Sequence, residues 1–195
     1  MEAKKEEFIV TAKWLEKNGA YEDDIQDFEQ HFPNGGEALE VLKRCEELGY
    51  RDFGEWLVDH LPPIYTPLVL NTFVGNLFYP NDVHIKGDVF TQEVIRIKGS
   101  LKVDGKLTIN KLQRVFATFV NADEIDIGGY AWIRGTVIAK VINFKGGSIT
   151  GDVDADEIIN DGGAIWGNVN TIKIKNINGG EVAGKITYKR SDEHK

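Results

Sequence analysis

The sequence has a single cysteine, Cys45, among its 195 residues. One thiol excludes an intramolecular disulfide framework and a cysteine-rich metal site. The few histidines show no metal-binding spacing with each other, with Cys45 or with clustered carboxylates. No apolar run approaches the ~18 residues of a membrane span, and no apolar signal-peptide core follows the acidic start of the chain. We therefore expect a cytoplasmic protein with no cofactor, no metal and no membrane span.

Basic residues are scarce in the first third of the chain. Residues 1–66 contain 16 Asp/Glu and 7 Lys/Arg, a net charge of −9, whereas residues 67–195 contain 15 and 16, a net charge of +1. Nucleic-acid binding needs a cationic surface that displaces counterions from phosphates, so we expect no direct nucleic-acid partner. A basic partner for the acidic segment and a merely solvated acidic surface both stay open.

A short unit of apolar, any, glycine, polar and apolar residues recurs through the rest of the chain. Its copies begin at Ile85, Val103, Ile133, Ile149, Ile165 and Val182. Self-similarity at a fixed period is typical of solenoid folds, in which each repeat buries its apolar residues against the next. We refer to this unit as the pentad.

Apolar residues also follow a period of six from Phe73 to Val137, and we call each such unit a hexad. An amphipathic α-helix cannot hold this phase, because six residues are not a whole number of its turns. Three short β-strands can, since alternate side chains point inward and a turn resets the phase. Three hexads make a coil of about 18 residues, with Phe119 facing inward. The closer spacing of the pentads after Val137 predicts shorter coils there, of about 16–17 residues.

Residues 1–63 predict a small all-α domain. Helices are expected at 6–17, 22–31, 37–48 and 52–61. Asp23 and Asp24 suit the positive end of the second helix. The spacing of Cys45 with Val41 and Leu42 indicates a buried core thiol. We expect His60 to pack inside this domain, and the domain itself to dock on the end of the solenoid.

These patterns together predict an α+β fold that is mainly β. A small helical domain occupies residues 1–63, residues 64–82 form a linker and the first coil, residues 83–188 form a triangular β-solenoid, and residues 189–195 form a charged tail.

The solenoid resembles bactofilins, which are bacterial cytoskeletal proteins. The likeness lies in Ile149-Thr150-Gly151-Asp152-Val153 and Ile165-Trp166-Gly167-Asn168-Val169, and in the strands at 141–144 and 157–160, within residues 83–188. It implies a right-handed triangular β-helix that forms homo-oligomers end to end without nucleotide. A folded helical domain before the β-helix departs from the bactofilin pattern and would obstruct one end. Hexapeptide-repeat acyltransferases place glycine directly after the aliphatic residue, whereas here it lies two positions after.

Aromatic and acidic residues outside the core are the candidates for contact with a protein partner. Trp132 precedes the inward Ile133 and Trp166 follows the inward Ile165, so both are expected to face outward on adjacent coils, near Tyr130. The acidic candidates are Glu22, Asp23, Asp24 and Asp27.

Three functional hypotheses follow. The first is a non-enzymatic structural or interaction protein that associates with itself or binds another protein through the solenoid. The second is a phage or mobile-element protein that inhibits a host factor through the acidic helical domain. The third is an enzyme that acts on polysaccharide or transfers acyl groups, for which Asp152, Asp154 or His84 would need to lie in a groove.

Overall fold

The computed structural model describes residues 7–62 and 66–190 of the chain. Four helices lie in the first described range: α1 Ala12–Asn18, α2 Glu22–His31, α3 Ala38–Leu48 and α4 Arg51–His60. The strands are β1 Ile9–Val10, β2 Gly36–Glu37, β3 Leu68–Leu70, β4 Phe73–Tyr79, β5 Val83–Ile85, β6 Val89–Ile97, β7 Ser100–Ile109, β8 Arg114–Ile127, β9 Trp132–Lys145, β10 Ser148–Thr150, β11 Val153–Asp161, β12 Ala164–Ile165, β13 Val169–Ile177, β14 Glu181–Val182 and β15 Ile186–Tyr188.

The first helix starts later than the sequence predicts. The expected start at Glu6 is wrong for the described part, because Ile9 and Val10 pair with β2 in a short antiparallel ladder. The hydroxyl of Thr11 then accepts a hydrogen bond from the Trp14 amide at 3.2 Å and caps α1. β-Branched residues favour the strand and Thr favours the N-cap, so the local chemistry overrides the apolar spacing.

Strands β3–β15 form a β-solenoid of about seven turns, as predicted. It has three faces, and the strands within each face are parallel. Face A consists of residues 68–70, 83–85, 100–103, 119–122, 136–139, 153–155, 169–171 and 186–188. Face B consists of residues 73–75, 89–91, 106–109, 124–127, 141–145, 157–161 and 173–177. Face C consists of residues 77–79, 94–97, 114–116, 132–134, 148–150, 164–165 and 181–182.

The coil lengths agree with the two predicted periods. Val83 pairs with Leu101, which lies three hexads further along the chain, whereas Ile149 pairs with Ile165 after a shorter step. Inward side chains stack into a column that is buried throughout the inner coils. The shorter coils turn at glycine pairs such as Gly146 and Gly147, which have φ values of 82° and 81°. Glycine adopts this left-handed backbone without a steric penalty.

One coil breaks the six-residue phase. Phe119 was expected inside, but it is 46% exposed, and Val120 takes its place opposite Leu101. The step from Leu101 to Val120 is one position longer than three hexads, and the step just before it on face C, from Ile95 to Val115, is two positions longer. Because side chains alternate along a strand, one extra residue moves every following side chain to the opposite face until the next turn.

The four later pentads, which begin at Ile133, Ile149, Ile165 and Val182, form the corner between faces C and A, whereas those at Ile85 and Val103 form the corner between faces A and B. A Cβ on Gly167 would overlap the carbonyl of Gly151, and a Cβ on Gly151 would overlap the carbonyl of Gly135. The next residue of the pentad bonds forward: Asp152 Oδ1 accepts from the Asn168 amide at 2.7 Å. The glycine therefore permits close stacking of consecutive coils, and the polar residue fixes their register.

Helices α3 and α4 pack beside the first coils of face C and continue the core of the solenoid. The helices were expected on the end of the solenoid, and α3 meets that end at β4, which contains the first strand of face C. The Phe78 amide, on the first strand of face C, donates to Glu46 Oε1 of α3 at 2.7 Å. Elsewhere the helices cover the outer side of face C. His60 is exposed rather than packed inside, although its ring stacks on Trp56 at 4.0 Å.

The predicted charged tail begins as an ordered continuation of β15. The Lys189 amide donates to the Thr171 carbonyl at 2.8 Å. The Lys189 ammonium pairs with Asp154 and lies 3.2 Å from Asp156. Residues 191–195 of the predicted tail lie outside the described residues.

Candidate functional site

Face C is divided into a covered part and a bare part. In the first coils, Phe78, Val94 and Phe116 point outward, yet all three are buried. Gly54 of α4 lies against Phe78, since a Cβ at Gly54 would come within 2.7 Å of the Phe78 ring. The outward side of these coils is therefore a docking surface for the chain's own helices.

Charged residues surround this apolar contact. The Arg96 guanidinium pairs with Asp59 of α4, and Arg114 lies 3.0 Å from the Glu55 carboxylate of the same helix. Both guanidinium groups also stand over the Phe116 ring, at 5.2 and 5.8 Å from its centroid. The geometry is that of an acidic amphipathic helix held between arginines and a phenyl ring.

Lys98 and Glu46 complete the contact through backbone groups. The Lys98 ammonium donates to the Asp59 carbonyl at 3.0 Å and to the Leu61 carbonyl at 2.6 Å. These carbonyls lie at the end of α4, where cations are favoured. Burial raises the pKa of Glu46 to about 7, although its hydrogen bond from the Phe78 amide lowers the pKa.

The bare part of face C begins where the helices end. Trp132 meets the buried Phe116 edge to face at 5.5 Å between ring centroids, and its indole Nε1 donates to Thr150 at 2.9 Å. Trp132 is 37% exposed and Trp166 is 58% exposed, which confirms that both face outward. Phe116 and Thr150 therefore fix the orientation of the partly exposed Trp132 ring.

The two tryptophans lie two coils apart rather than on adjacent coils, because the strand of Thr150 separates them. Tyr130 lies at the corner before Trp132, with a φ of 58° and 78% exposure. Arg134 follows Arg96 and Phe116 in one outward column of the face. We define the aromatic surface as Tyr130, Trp132, Arg134, Thr150 and Trp166.

The acidic candidates lie together on α2, away from the aromatic surface. Glu22, Asp23 and Asp24 occupy its first turn, and Asp27 follows one turn later. Burial raises the pKa of Asp24, and the neighbouring carboxylates of Asp27, Asp52 and Asp23 add to the effect. Carboxylates close enough to raise one another's pKa values form a concentrated negative surface.

Of the residues in the enzyme hypothesis, Asp152 and Asp154 line one open groove of about 280 Å³, whereas His84 is not part of its lining. His84 and Asp154 share an outward column of face A, but the strands of Lys102, Asn121 and Ile138 lie between them. His84 Nε2 is 2.7 Å from Asp104 Oδ2, on the neighbouring coil. Four strand spacings amount to about 19 Å, too far for joint action on one bond.

Asp152 and Asp154 both take part in structural contacts. Asp152 accepts a hydrogen bond from the backbone amide of Asn168 at the pentad corner. The Lys189 ammonium holds the pKa of Asp154 below its usual value. The side-chain amide of Asn170 donates a hydrogen bond to Asp154 at 2.7 Å and lowers the pKa further. A carboxylate held in this way stays ionised and binds the next coil.

Cys45 is buried, as expected for a core thiol, and burial raises its pKa to about 12. Over residues 7–62 and 66–190, no three His, Cys, Asp or Glu side chains are grouped so that they could bind a metal ion. None of the described helices is both long and apolar enough to cross a membrane.

Sequence reasoning found the outward tryptophans but missed the covered part of the same face. Phe78 and Phe116 also stand at outward positions, next to the inward Leu77 and Val115. The available signal was a phenylalanine at an outward position of a coil, twice on the same face. Comparison of the chain with protein-family models, curated proteins and solved structures gave no match.

Proposed function

We propose that the chain is a non-enzymatic protein-interaction module, and that its solenoid binds a partner protein through the aromatic surface. One observation supports this most strongly. The covered coils of face C already hold two helices by burying Phe78, Val94 and Phe116, and the aromatic surface lies on the following strands of the same face. Tryptophan and tyrosine contribute large contact areas and are enriched among the residues that dominate binding energy.

The covered part of face C suggests the chemistry of the partner. Helix α4 presents Asp59 and Glu55 to Arg96 and Arg114 around a phenyl ring. Arg134 repeats the Arg96 position further along the face, beside the indoles. A partner with an acidic amphipathic helix would reproduce this contact, since its apolar side would meet Trp132 and Trp166.

The likeness of the pentads to bactofilins also favours a structural role over a catalytic one. The stacked glycines and forward-bonding Asp152 are used to hold coils together. In this proposal the solenoid is a rigid support, and its specificity lies in the side chains of face C.

The test compares partner capture by three forms of the full chain. Wild-type protein, the double variant Trp132→Ala/Trp166→Ala and the control Phe90→Ala are tagged and used to capture proteins from the native cell. Phe90 is an exposed aromatic residue on face B, so its removal controls for the loss of an exposed ring elsewhere on the solenoid.

We expect a protein that the wild type and Phe90→Ala capture and the double variant loses. With that protein purified, removal of both indoles should weaken binding by at least about tenfold. Equal affinity of wild type and double variant for every captured protein would refute the proposed role of the aromatic surface.

A further inference from the structure

The last coil of the solenoid leaves its apolar column incompletely covered. Residues 173–177, β14 and β15 form its edge, and no strand of the described residues pairs with their outer side. Ile174 and Val182 are only half-buried there, whereas Ile158, one coil earlier, is fully buried. Exposed strand edges with apolar residues favour association with another chain.

Cations surround this edge. Residues 169–190 contain five Lys/Arg and one Asp/Glu, a net charge of +4. Lys173 is paired with Glu157, and Lys189 with Asp154 and Asp156. The exposed cations Lys175, Lys185 and Arg190 have no ion-pair partner within the described residues. Two such ends would repel each other, so pairing of one last coil with another is disfavoured.

The opposite combination of properties is present between α1 and α2. An open groove of about 550 Å³ lies there, with Ala20 and Ile25 as apolar lining and Glu16, Glu22 and Glu29 as its carboxylates. The surrounding segment, residues 1–66, has a net charge of −9. The chain thus has a cationic edge with an apolar centre near its end, and an anionic groove with an apolar floor near its start.

We propose that the last coil of one copy docks head to tail on the α1–α2 groove of a second copy. The charges that each surface leaves unpaired then meet their opposites, and the half-buried isoleucine and valine side chains of the edge face Ala20 and Ile25. A heterologous contact of this kind forms a ring when its rotation closes and an open chain when it does not. The contact uses neither tryptophan of face C and is independent of the partner binding proposed above.

Salt dependence of the wild-type protein is the first measurement. We expect the average mass from light scattering to rise with protein concentration in about 50 mM NaCl, and to return to the monomer mass in about 500 mM NaCl, because salt screens charge attraction between exposed groups. A monomer at every concentration in low salt would overturn the proposal.

Charge reversal separates the two surfaces. One variant carries Glu16→Lys, Glu22→Lys and Glu29→Lys, and the other carries Lys175→Glu, Lys185→Glu and Arg190→Glu. Each variant alone presents like charges at both ends, so each should be monomeric in low salt. An equimolar mixture should associate again, because the basic groove of the first variant then faces the acidic edge of the second.

The control reverses Lys86 and Lys111, exposed cations of earlier coils, and should associate like the wild type. Circular dichroism checks the fold of each variant. Failure of the mixed variants to associate, or association of either variant alone at the wild-type level, would overturn the head-to-tail contact.

Discussion

Gly167 and Gly129 are both corner glycines of the solenoid, yet they have different surroundings. A Cβ on Gly167 would overlap the backbone of Gly151 in the coil before it. A Cβ on Gly129 would meet only the Lys145 carbonyl, at an ordinary 3.6 Å. Neither glycine has the left-handed φ that would add strain of its own. The pair therefore isolates the effect of close backbone stacking.

We expect Gly167→Ala to lower the free energy of unfolding by about 2–4 kcal/mol, because stacked backbones must separate to admit a methyl group. Gly129→Ala should change it by less than about 1 kcal/mol. Urea unfolding followed by circular dichroism measures both. Similar losses in the two variants would show that close stacking is not what requires glycine in the pentad.

Glu46 gives the contact between helices and solenoid a pH dependence. Its pKa is raised from the ordinary 4.5 to about 7. Between these values the unfolded chain releases the proton while the folded chain keeps it, so the free energy of unfolding falls as pH rises through this window. Above it the full cost of ionising a half-buried carboxyl remains.

Glu46→Gln keeps an oxygen that can accept from the Phe78 amide but removes the charge. At about pH 8 we expect the free energy of unfolding of Glu46→Gln to exceed that of the wild type by about 1–2 kcal/mol, after allowance for solvent screening. Near about pH 4 this difference should vanish. Urea unfolding measures both. Glu46→Ala leaves the amide without its acceptor and should be about 1 kcal/mol less stable than Glu46→Gln at both pH values. A pH-independent difference between wild type and Gln would contradict the assignment.

At the scale of elements, helix α4 is held on face C by a close fit rather than by helix propensity. Gly54 stands in the middle of α4, where alanine would favour the helix itself by about 1 kcal/mol. The Phe78 ring occupies the space that a Cβ would take, at 2.7 Å. The fit to face C therefore opposes the residue that the isolated helix would prefer.

Gly54→Ala should loosen α4 from the solenoid, and Gly54→Ala/Phe78→Leu should restore the contact because the smaller side chain makes room for the methyl group. Hydrogen exchange of the α4 amides is the measurement: faster in the single variant and slower again in the double variant. Unchanged exchange in Gly54→Ala would show that this contact does not position the helix.

The elements also show why sequence reasoning succeeded for the strands and was incomplete for the helices. Alternation and corner glycines are local, so the hexads and pentads predicted the coils and their lengths. The position of α3 and α4 depends on distant pairs such as Glu46 with Phe78 and Asp59 with Arg96. An outward phenylalanine covered by a helix and an outward tryptophan left bare have the same local pattern, so burial of Phe116 and exposure of Trp166 could not be separated in advance.

At the scale of the whole molecule, one apolar core runs from the helices into the solenoid. Charge is distributed differently, with −9 on residues 1–66 and +4 on residues 169–190. Helices and solenoid are therefore joined by packing, while the helical segment and the last coil have opposite electrostatic character. Long-range attraction between such regions orients approaching molecules before contact and weakens with salt.

The equal step between three of the later coils has a consequence for the length of the molecule. Ile133, Ile149 and Ile165 follow one another at equal intervals, and the same glycine contact joins each coil to the one before. A gene that gained or lost one such unit would still encode matching neighbours on both sides of the change. Each event would alter the distance between the helices and the last strand by about 4.8 Å. The length of the solenoid can therefore evolve by whole coils, while the packing of its interior stays the same.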